Sequence, residues 1–427
     1  MSDHPLLDLA VGDALRRLAD WSPEDVVLRG AKIVQNPAVD LRLVAEQLRL
    51  RLRAKAKLPT WAFDPRIRFP DATALEQASS EATAQLKRRW LFPTGEPQRL
   101  VDFSAGLGVD AQALLSACSS AVVVEPDPGR AELLAHNLRL FEPGKTIKVI
   151  QQAAETIEFN AQEFTASFVA MLDPDRRDNA AGRSHALADG SPPVRALLQR
   201  LPPSAERMLL KTSPMLDIWA ALAELAELPA WTVTRLAVVA VGAECKEALY
   251  LLERNPSERP GVPAPLVEII ALGPRRTSLW QAPMSAFEVT APTGSVGKFL
   301  FDPDPAFRKV NRFAPLCAAF GLRQIAPATN LLTGDQPVES FPGRCFKLCA
   351  PDRDGLSGAA NDRQLRRAVT GRALSVVSRN HPSSADALRK RFRLKESERD
   401  FLFAFRGDDG RPQLRLGTRL SNHLGER

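Results

Sequence analysis

The sequence predicts an α/β protein. At its centre is a Rossmann-like sheet of seven strands, with a helical segment before it and α+β segments after it. Three observations carry this. Between residues 98 and 273, short apolar runs alternate with amphipathic stretches, the pattern of parallel strands joined by helices. A Gly-x-Gly turn, Gly106 to Gly108, stands where the first of these strands would enter its helix. The flanking sequence has a different rhythm, helical before Pro93 and punctuated by proline and hairpin signals after Pro274.

In chain order, residues 1–60 read as helical. Leu41, Val44, Ala45, Leu48 and Leu52 recur at helical spacing, and Pro59 marks an end. Arg49, Arg51, Arg53, Lys55 and Lys57 follow every second position, which spreads them around a helix. A second helix is expected from Thr73 to Trp90. The strands are expected at 99–104, 121–124, 147–150, 168–172, 207–211, 233–241 and 266–272. Helices at 110–117, 129–140, 216–225 and 244–253 fall between them. Asn255–Pro265 is Pro/Gly-rich, and Asp173 to Asp189 reads as a long polar loop. Beyond Pro274, a helix is expected over Phe307–Phe320 with Gly321 just past its end. A strand is expected at Cys345–Leu348 and a linker at 351–362. A strand (373–377), a helix (384–392) and a hairpin around Asp408-Asp409-Gly410 complete the chain.

Composition narrows the class. Apolar residues make up 44% and charged residues 25% of 427, an ordinary globular balance that excludes disordered, collagen-like and coiled-coil proteins. No apolar run approaches the ~20 residues of a membrane span. Met1–Ala10 carries Asp3 and Asp8 rather than a basic segment, so no secretory signal is read there. Five scattered cysteines (118, 245, 317, 345 and 349) suggest reduced thiols in a cytoplasm. Without a CxxC pair or clustered histidines, no metal site is expected. The net charge of +7 is localised. Arg363–Arg399 holds eleven basic and three acidic residues, while the rest of the chain is nearly neutral. A localised basic block is the footprint of a polyanion partner, and equally of a solvated arginine-rich surface.

Four strings carry chemistry. In Asp102-Phe103-Ser104-Ala105-Gly106-Leu107-Gly108-Val109-Asp110, the glycines let the backbone approach a ligand where a Cβ would clash. Glu125, seventeen residues past Gly108 and at the next strand end, can accept hydrogen bonds from both hydroxyls of a ribose. Two ligands fit this frame. Gly106, Gly108 and Ala111 satisfy the dinucleotide pattern G-x-G-x-x-G/A, whereas Asp102 gives D-x-x-x-G-x-G, the form found in S-adenosylmethionine binders. The fourth strand ends in Asp173-Pro174-Asp175-Arg176. An acid plus a proline carbonyl there can hold an amine and aim its lone pair at an electrophilic methyl. Lys211-Thr212-Ser213-Pro214 closes the next strand, and Lys211 either faces the cleft or caps the strand. The string from Leu75 to Glu81 reads as a helix.

The chain resembles the bacterial family of class I S-adenosylmethionine-dependent methyltransferases with a C-terminal THUMP-like domain. The strings that carry the resemblance are LEQASSEATA (75–84), DFSAGLGVD (102–110), VVVEPDP (122–128), LDPDRRD (172–178) and LLKTSPMLD (209–217). FLFDPDPAF (299–307), FPGRCFKL (341–348) and ALRKRFRLK (387–395) extend it. It implies an N-terminal helical segment (1–95), a methyltransferase domain (96–274), a ferredoxin-like segment (275–350) and a THUMP-like domain (351–427) that brings RNA to the site. Asp102, Gly106 and Gly108 would line the methionine end of S-adenosylmethionine and Glu125 its ribose, with Ser104 a further cofactor-binding candidate. Asp173 and Pro174 would face the acceptor, and Arg176 and Lys211 are further catalytic candidates.

Two departures matter. The third-strand position that often holds an acid for the adenine amine reads Ile150-Gln151-Gln152-Ala153, with Gln152 able to bond the base. Where amino-methylating enzymes often carry an aromatic residue after Asp-Pro, Asp175 and Arg176 stand, and Arg176 could stack or hold a phosphate. No cysteine lies near Asp173 or Lys211, and Cys245 reads as a buried thiol. The expected function is methyl transfer to RNA, a tRNA or rRNA, most readily at a base nitrogen, with no metal and no membrane. The rivals are a nicotinamide oxidoreductase, a non-catalytic RNA-binding protein with a decayed site, and an enzyme with a protein or small-molecule acceptor.

Overall fold

The computed structural model describes residues 4–93, 98–160, 162–176, 187, 190–254, 265–273, 277–349 and 369–420. The chain divides into two compact units, Met1–Arg235 with Ala248–Val262 and Leu236–Glu247 with Pro263–Arg427. The expected linker at 351–362, nearly all of Asn255–Pro265 and most of the run from Asp173 to Asp189 lie outside the described residues. No helix among the described residues is long and apolar enough to cross a membrane.

The first unit opens with helices α1 (Leu9–Arg17), α2 (Pro23–Arg29) and α3 (Leu41–Ala54), capped by the side chains of Asp8, Ser22 and Asp40. Their apolar faces share a core around Val11, Leu15, Val26, Val44 and Leu48. Arg51 turns inward from α3, and its guanidinium donates to the carbonyls of Ala62, Asp64, Pro65 and Ile67. Those carbonyls belong to the last turn of α4 (Pro59–Phe63) and the irregular stretch after it, where the five-donor fork supplies partners. Lys57 likewise donates to the carbonyls of Leu75 and Glu76. The basic row at 49–57 is therefore partly structural.

The helix expected from Thr73 to Trp90 is two helices, α5 (Ala72–Gln77) and α6 (Glu81–Leu91). Ser80 breaks it: its hydroxyl accepts from Thr83 N, and the Thr83 hydroxyl accepts from Ser80 N, a capping box that starts a new helix.

The first sheet has nine strands: β1 (Gln98–Asp102), β2 (Cys118–Val124), β3 (Thr146–Ile150), β4 (Phe168–Leu172), β7 (Ala205–Thr212), β8 (Trp231–Val241), β9 (Glu244–Arg254), β10 (Leu266–Leu272) and β11 (Thr277–Pro283). A separate two-residue ladder, β5 (Asp175–Arg176) with β6 (Gly190–Ser191), follows β4. The order in the sheet is β11-β10-β8-β9-β7-β4-β1-β2-β3. β3, β2, β1, β4 and β7 run parallel. Helices α7 (Val109–Leu115), α8 (Pro128–Phe141), α9 (Val194–Arg200) and α10 (Ile218–Ala226) fall between its strands.

The stretch expected as a helix over 244–253 is instead strand β9, antiparallel to β7 from Arg207↔Glu253 to Thr212↔Ala248. Its Ala248-Leu249-Tyr250-Leu251-Leu252 run is buried throughout, and a short all-apolar run carries no period that separates strand from helix. Its turn did carry a signal: Gly242, with φ 59, opens a two-residue link between β8 and β9. Strand β11 was also unexpected and pairs antiparallel with β10. The sheet thus has nine strands, not seven, and is mixed beyond β7.

In the second unit, β12 (Phe299–Pro303), β13 (Arg323–Ala326), β14 (Thr329–Gly334), β15 (Gly343–Leu348), β16 (Ser375–Arg379), β17 (Asp400–Arg406) and β18 (Pro412–Arg419) form one sheet ordered β13-β14-β12-β15-β18-β17-β16. The segments 275–350 and 351–427 both contribute strands to it, through the β15–β18 pairing. α11 (Met284–Glu288) precedes it. The helix expected over Phe307–Phe320 is split into α12 (Pro305–Val310) and α13 (Ala314–Phe320) at Asn311, whose φ of 55 ends the first helix. α14 (Ala385–Phe392), capped by Ser384, buries Leu388 and Phe392.

Candidate active site

The site is built at the carboxyl ends of β1, β2, β4 and β7. The sheet order reverses between β1, which leads to β2, and β4, and this switch point is where doubly wound sheets carry their ligand crevice. The loop after β1 is tied down by backbone bonds from Phe103 N to Met171 O and from Ala105 N to Val124 O, each 3.0 Å. Its two glycines do different work. Gly106 has φ 51, and a Cβ there would meet nothing within 4 Å; it opens onto free space. Gly108, with φ 94, has Leu134 Cδ1 2.5 Å from where a Cβ would stand, so this glycine lets α7 start hard against α8.

Asp102 is buried at the end of β1, and its Oδ1 accepts from Ser104 N at 3.0 Å and Ser104 Oγ at 3.4 Å. The Ser104 hydroxyl in turn accepts the main-chain N–H of Asp173 at 2.6 Å. Burial, reinforced by the nearby Asp110 and Asp173 charges, pushes the Asp102 carboxyl up to about 7. Glu125 is buried at the end of β2, and one of its oxygens caps Asp127 N at 3.1 Å. Burial raises its pKa above the ordinary carboxylate value. Asp175 is raised for the same reason, with Asp173 adding repulsion.

At the end of β4, Asp173 forms an ion pair with Lys211, which stands on β7. The pairing joins the end of β7 to the end of β4. The β5–β6 ladder holds the turn after Pro174. A Cβ on Gly190 would stand 3.0 Å from Pro174 Cβ, so the ladder closes tightly over the proline. Arg176 joins this ladder through its backbone. Gln152 is exposed beyond β3, and its amide donates to Thr156 O at 3.0 Å. Cys245 is half-buried rather than fully buried, and desolvation pushes its thiol up to about 11.

One group escaped the sequence reading. Lys87 is fully buried on α6, where its ammonium donates to Ser79 Oγ at 2.8 Å and Asp110 Oδ1 at 3.0 Å; Ser79 Oγ donates to Asp110 Oδ2 at 2.7 Å. Burial works to raise the Asp110 carboxyl, but the Lys87 and Lys211 cations and the Ser79 hydroxyl outweigh it and leave it below its ordinary value. The network ties the Ser79 turn to the first turn of α7, immediately behind the glycine loop. The available signal was Lys87 standing inside the buried stripe of Thr83, Ala84, Trp90 and Leu91, where a lone cation needs a partner.

In the second unit, the basic helix α14 does not present a row of uncommitted cations. Arg389 pairs with Asp386 and Glu396, each at 2.9 Å, and Arg393 is the left-handed C-cap with φ 54.

Residues 358–419 match the THUMP domain-like family. Among solved structures, the chain is similar to a candidate methyltransferase from Porphyromonas gingivalis W83. The two share 27% identity with a TM-score of 0.78, over 97% of this chain and 98% of that one. A candidate RNA methyltransferase from Pyrococcus horikoshii shares 16% identity, covering 48% of this chain and 98% of its own, with a TM-score of 0.34. A candidate methyltransferase from Streptococcus mutans in complex with SAH shares 15%, covering 40% and 97%, with a TM-score of 0.29. Among curated proteins none matches the chain.

Proposed function

We propose that this chain, a member of the class I methyltransferase family that carries a C-terminal THUMP-like domain, transfers a methyl group from S-adenosylmethionine to a base nitrogen of RNA. The observation that carries this reading is the linkage Asp102–Ser104–Asp173, which joins the glycine loop after β1 to the Asp-Pro turn after β4 across the switch point of the sheet.

The residues present fit the donor. The open space at Gly106 is where its methionine end would lie. Asp102 and Glu125, both buried acceptors, suit an ammonium and a pair of ribose hydroxyls. Glu125 has one oxygen bonded to Asp127 N and offers its other. When bound, S-adenosylmethionine supplies a methyl carbon made electrophilic by the sulfonium. Gln152 would offer its Oε1 to the adenine amine while its own amide N–H stays on Thr156 O.

The acceptor side rests on Asp173 and Pro174. The carboxylate and the proline carbonyl would accept two hydrogen bonds from the acceptor amine and turn its lone pair toward the methyl group. Lys211 holds the Asp173 carboxylate in place, and the Ser104 hydroxyl holds its backbone. Arg176 would contact the target base or its phosphate. The proton that the amine gives up on methylation would pass to the Asp173 carboxylate that accepts its hydrogen bond, and from there to solvent.

The test is incubation of the full chain with S-adenosylmethionine carrying a tritiated methyl and total RNA from a strain lacking the gene. Mass spectrometry of the RNA nucleosides follows. A methylated nucleoside that appears only with active chain supports the reading. Label recovered in protein or small molecules, and none in RNA, overturns the acceptor.

A further inference from the structure

Two of the strings noted in the sequence, FLFDPDPAF and FPGRCFKL, play no part in the methyl-transfer site. They meet in the second unit. β12 pairs with β15 so that Asp302 stands opposite Arg344 and Pro303 opposite Gly343. Gly343 has φ 154, and a Cβ there would stand 2.3 Å from Asp302 O, so only glycine allows this approach.

Asp302 is fully buried and receives three guanidiniums. Arg344 binds its Oδ2, while Arg308 at 3.4 Å and Arg379 at 3.3 Å reach its Oδ1. Asp304 is a second carboxylate that acts on Arg308 and Arg344, and two carboxylates against three guanidiniums still leave the cluster one positive charge to spare. Arg379 Nε is buried and has no hydrogen-bond partner. The Arg344 guanidinium lies over the rings of Phe346 and Phe401, 5.6 and 5.5 Å from their centroids, which fixes its plane.

Arg344 and Arg379 line a cavity of about 700 Å³, together with Arg419, Ser375, Ser378 and Phe401; Glu398 is its acidic lining residue. The serine hydroxyls are engaged with protein, Ser375 with Ser397 O and Ser378 with Ser383 O. They shape the wall; Arg379 donates to Ser378 O at 3.1 Å as well as to Asp302, and the donors left to a ligand are the remaining N–H groups of Arg344, Arg379 and Arg419. Arginine forks held in fixed planes match phosphate oxygens, and the volume suits a nucleotide rather than a bare ion.

We infer that this cavity is a phosphate site for a nucleotide of an RNA strand, with Asp302 as the residue that positions the arginines. The inference rests on the reading of RNA as the acceptor. It moves the docking chemistry of the basic stretch away from α14, where Arg389 is already paired, to Arg379 and its neighbours.

The test uses the full chain, an Arg379→Gln/Arg419→Gln double variant and a single Arg419→Glu variant. Arg419 lies outside the Asp302 cluster, so the single variant keeps the fold even where the double variant does not. Filter binding of single-stranded RNA is followed across a salt series, and inorganic phosphate and adenosine 5′-monophosphate are titrated by phosphorus NMR. Both variants should bind RNA at least tenfold more weakly. Loss of one phosphate contact should make the slope of log K against log[salt] less negative by about 0.7. Calorimetric affinity for S-adenosylmethionine should not change, and the phosphorus line broadening seen with wild type should vanish. RNA binding with wild-type affinity and slope in the variants overturns the inference. If wild type broadens the phosphorus lines but binds no RNA, the RNA reading fails and the occupant is a small phosphate ester. If neither probe binds, the cavity is not an anion site, whatever the fate of the RNA reading.

Discussion

The main-chain N–H of Asp173 donates to the Ser104 hydroxyl at 2.6 Å, and that hydroxyl also reaches Asp102. A turn from β4 is thereby held by a turn from β1, although the two residues are 69 positions apart. If Ser104 positions the acceptor turn, Ser104→Ala should leave the Asp173 N–H without its partner and cost about 1–3 kcal/mol. It should lower kcat more than it raises the donor Kd. Equal donor affinity and equal kcat in the variant would remove Ser104 from the mechanism.

Asp173→Ala tests the chemistry directly. Donor affinity by calorimetry should stay within a few fold, while methyl transfer should fall by roughly 10²-fold, the scale of a positioning loss. The variant also strips Lys211 of its carboxylate, so Asp173→Asn is the companion. Activity that survives both would move the role to Lys211.

Glu125→Ala removes a carboxylate placed to take charge-assisted hydrogen bonds, each contributing roughly 1.5–3 kcal/mol. Binding of S-adenosylmethionine should weaken at least tenfold. Gly106→Ala should also weaken it, because its Cβ would meet no protein atom and would project into the space proposed for the donor, with its φ of 51 adding backbone strain. Gly108→Ala should act on stability, because its Cβ would strike Leu134. Spectral titration with NADH should show no binding to any of these proteins; tight NADH binding by wild type would favour hydride transfer.

The raised Asp102 pKa gives a signed prediction. The folded state holds a proton up to about pH 7 that the unfolded chain loses near its ordinary value, so this group's contribution to stability falls as pH rises through that window. Asp102→Asn should flatten the decline of Tm between pH 5 and 7.5 relative to wild type. If the ionised carboxylate receives the donor's ammonium, wild-type affinity for S-adenosylmethionine should rise from pH 6 to 8. A pH-independent affinity would place Asp102 away from the donor.

Lys87→Met should be strongly destabilising, about 3–5 kcal/mol, because it leaves Asp110 without its buried cation. Urea unfolding measures this directly. The double variant Lys87→Met/Asp110→Leu should recover much of the loss, which separates a charge effect from a packing effect.

What depends on neighbours in the chain could be read from the residues alone. The parallel strands β1 to β4, the glycine loop with its positive φ values and the acid at the end of β2 were all legible. Each follows from side-chain period or from backbone conformations that glycine alone adopts freely. The α14 helix and the final hairpin were legible for the same reason. The rest emerges from contacts between distant parts of the chain. Glu244–Arg254 became a strand because a buried place between β8 and β7 outweighs the helix preference of its Glu, Lys, Ala and Leu residues. The pairings Lys211 with Asp173, Lys87 with Asp110 and Arg379 with Asp302 join residues 38, 23 and 77 positions apart. The desolvation that makes such charges seek partners exists only once the chain has closed around them.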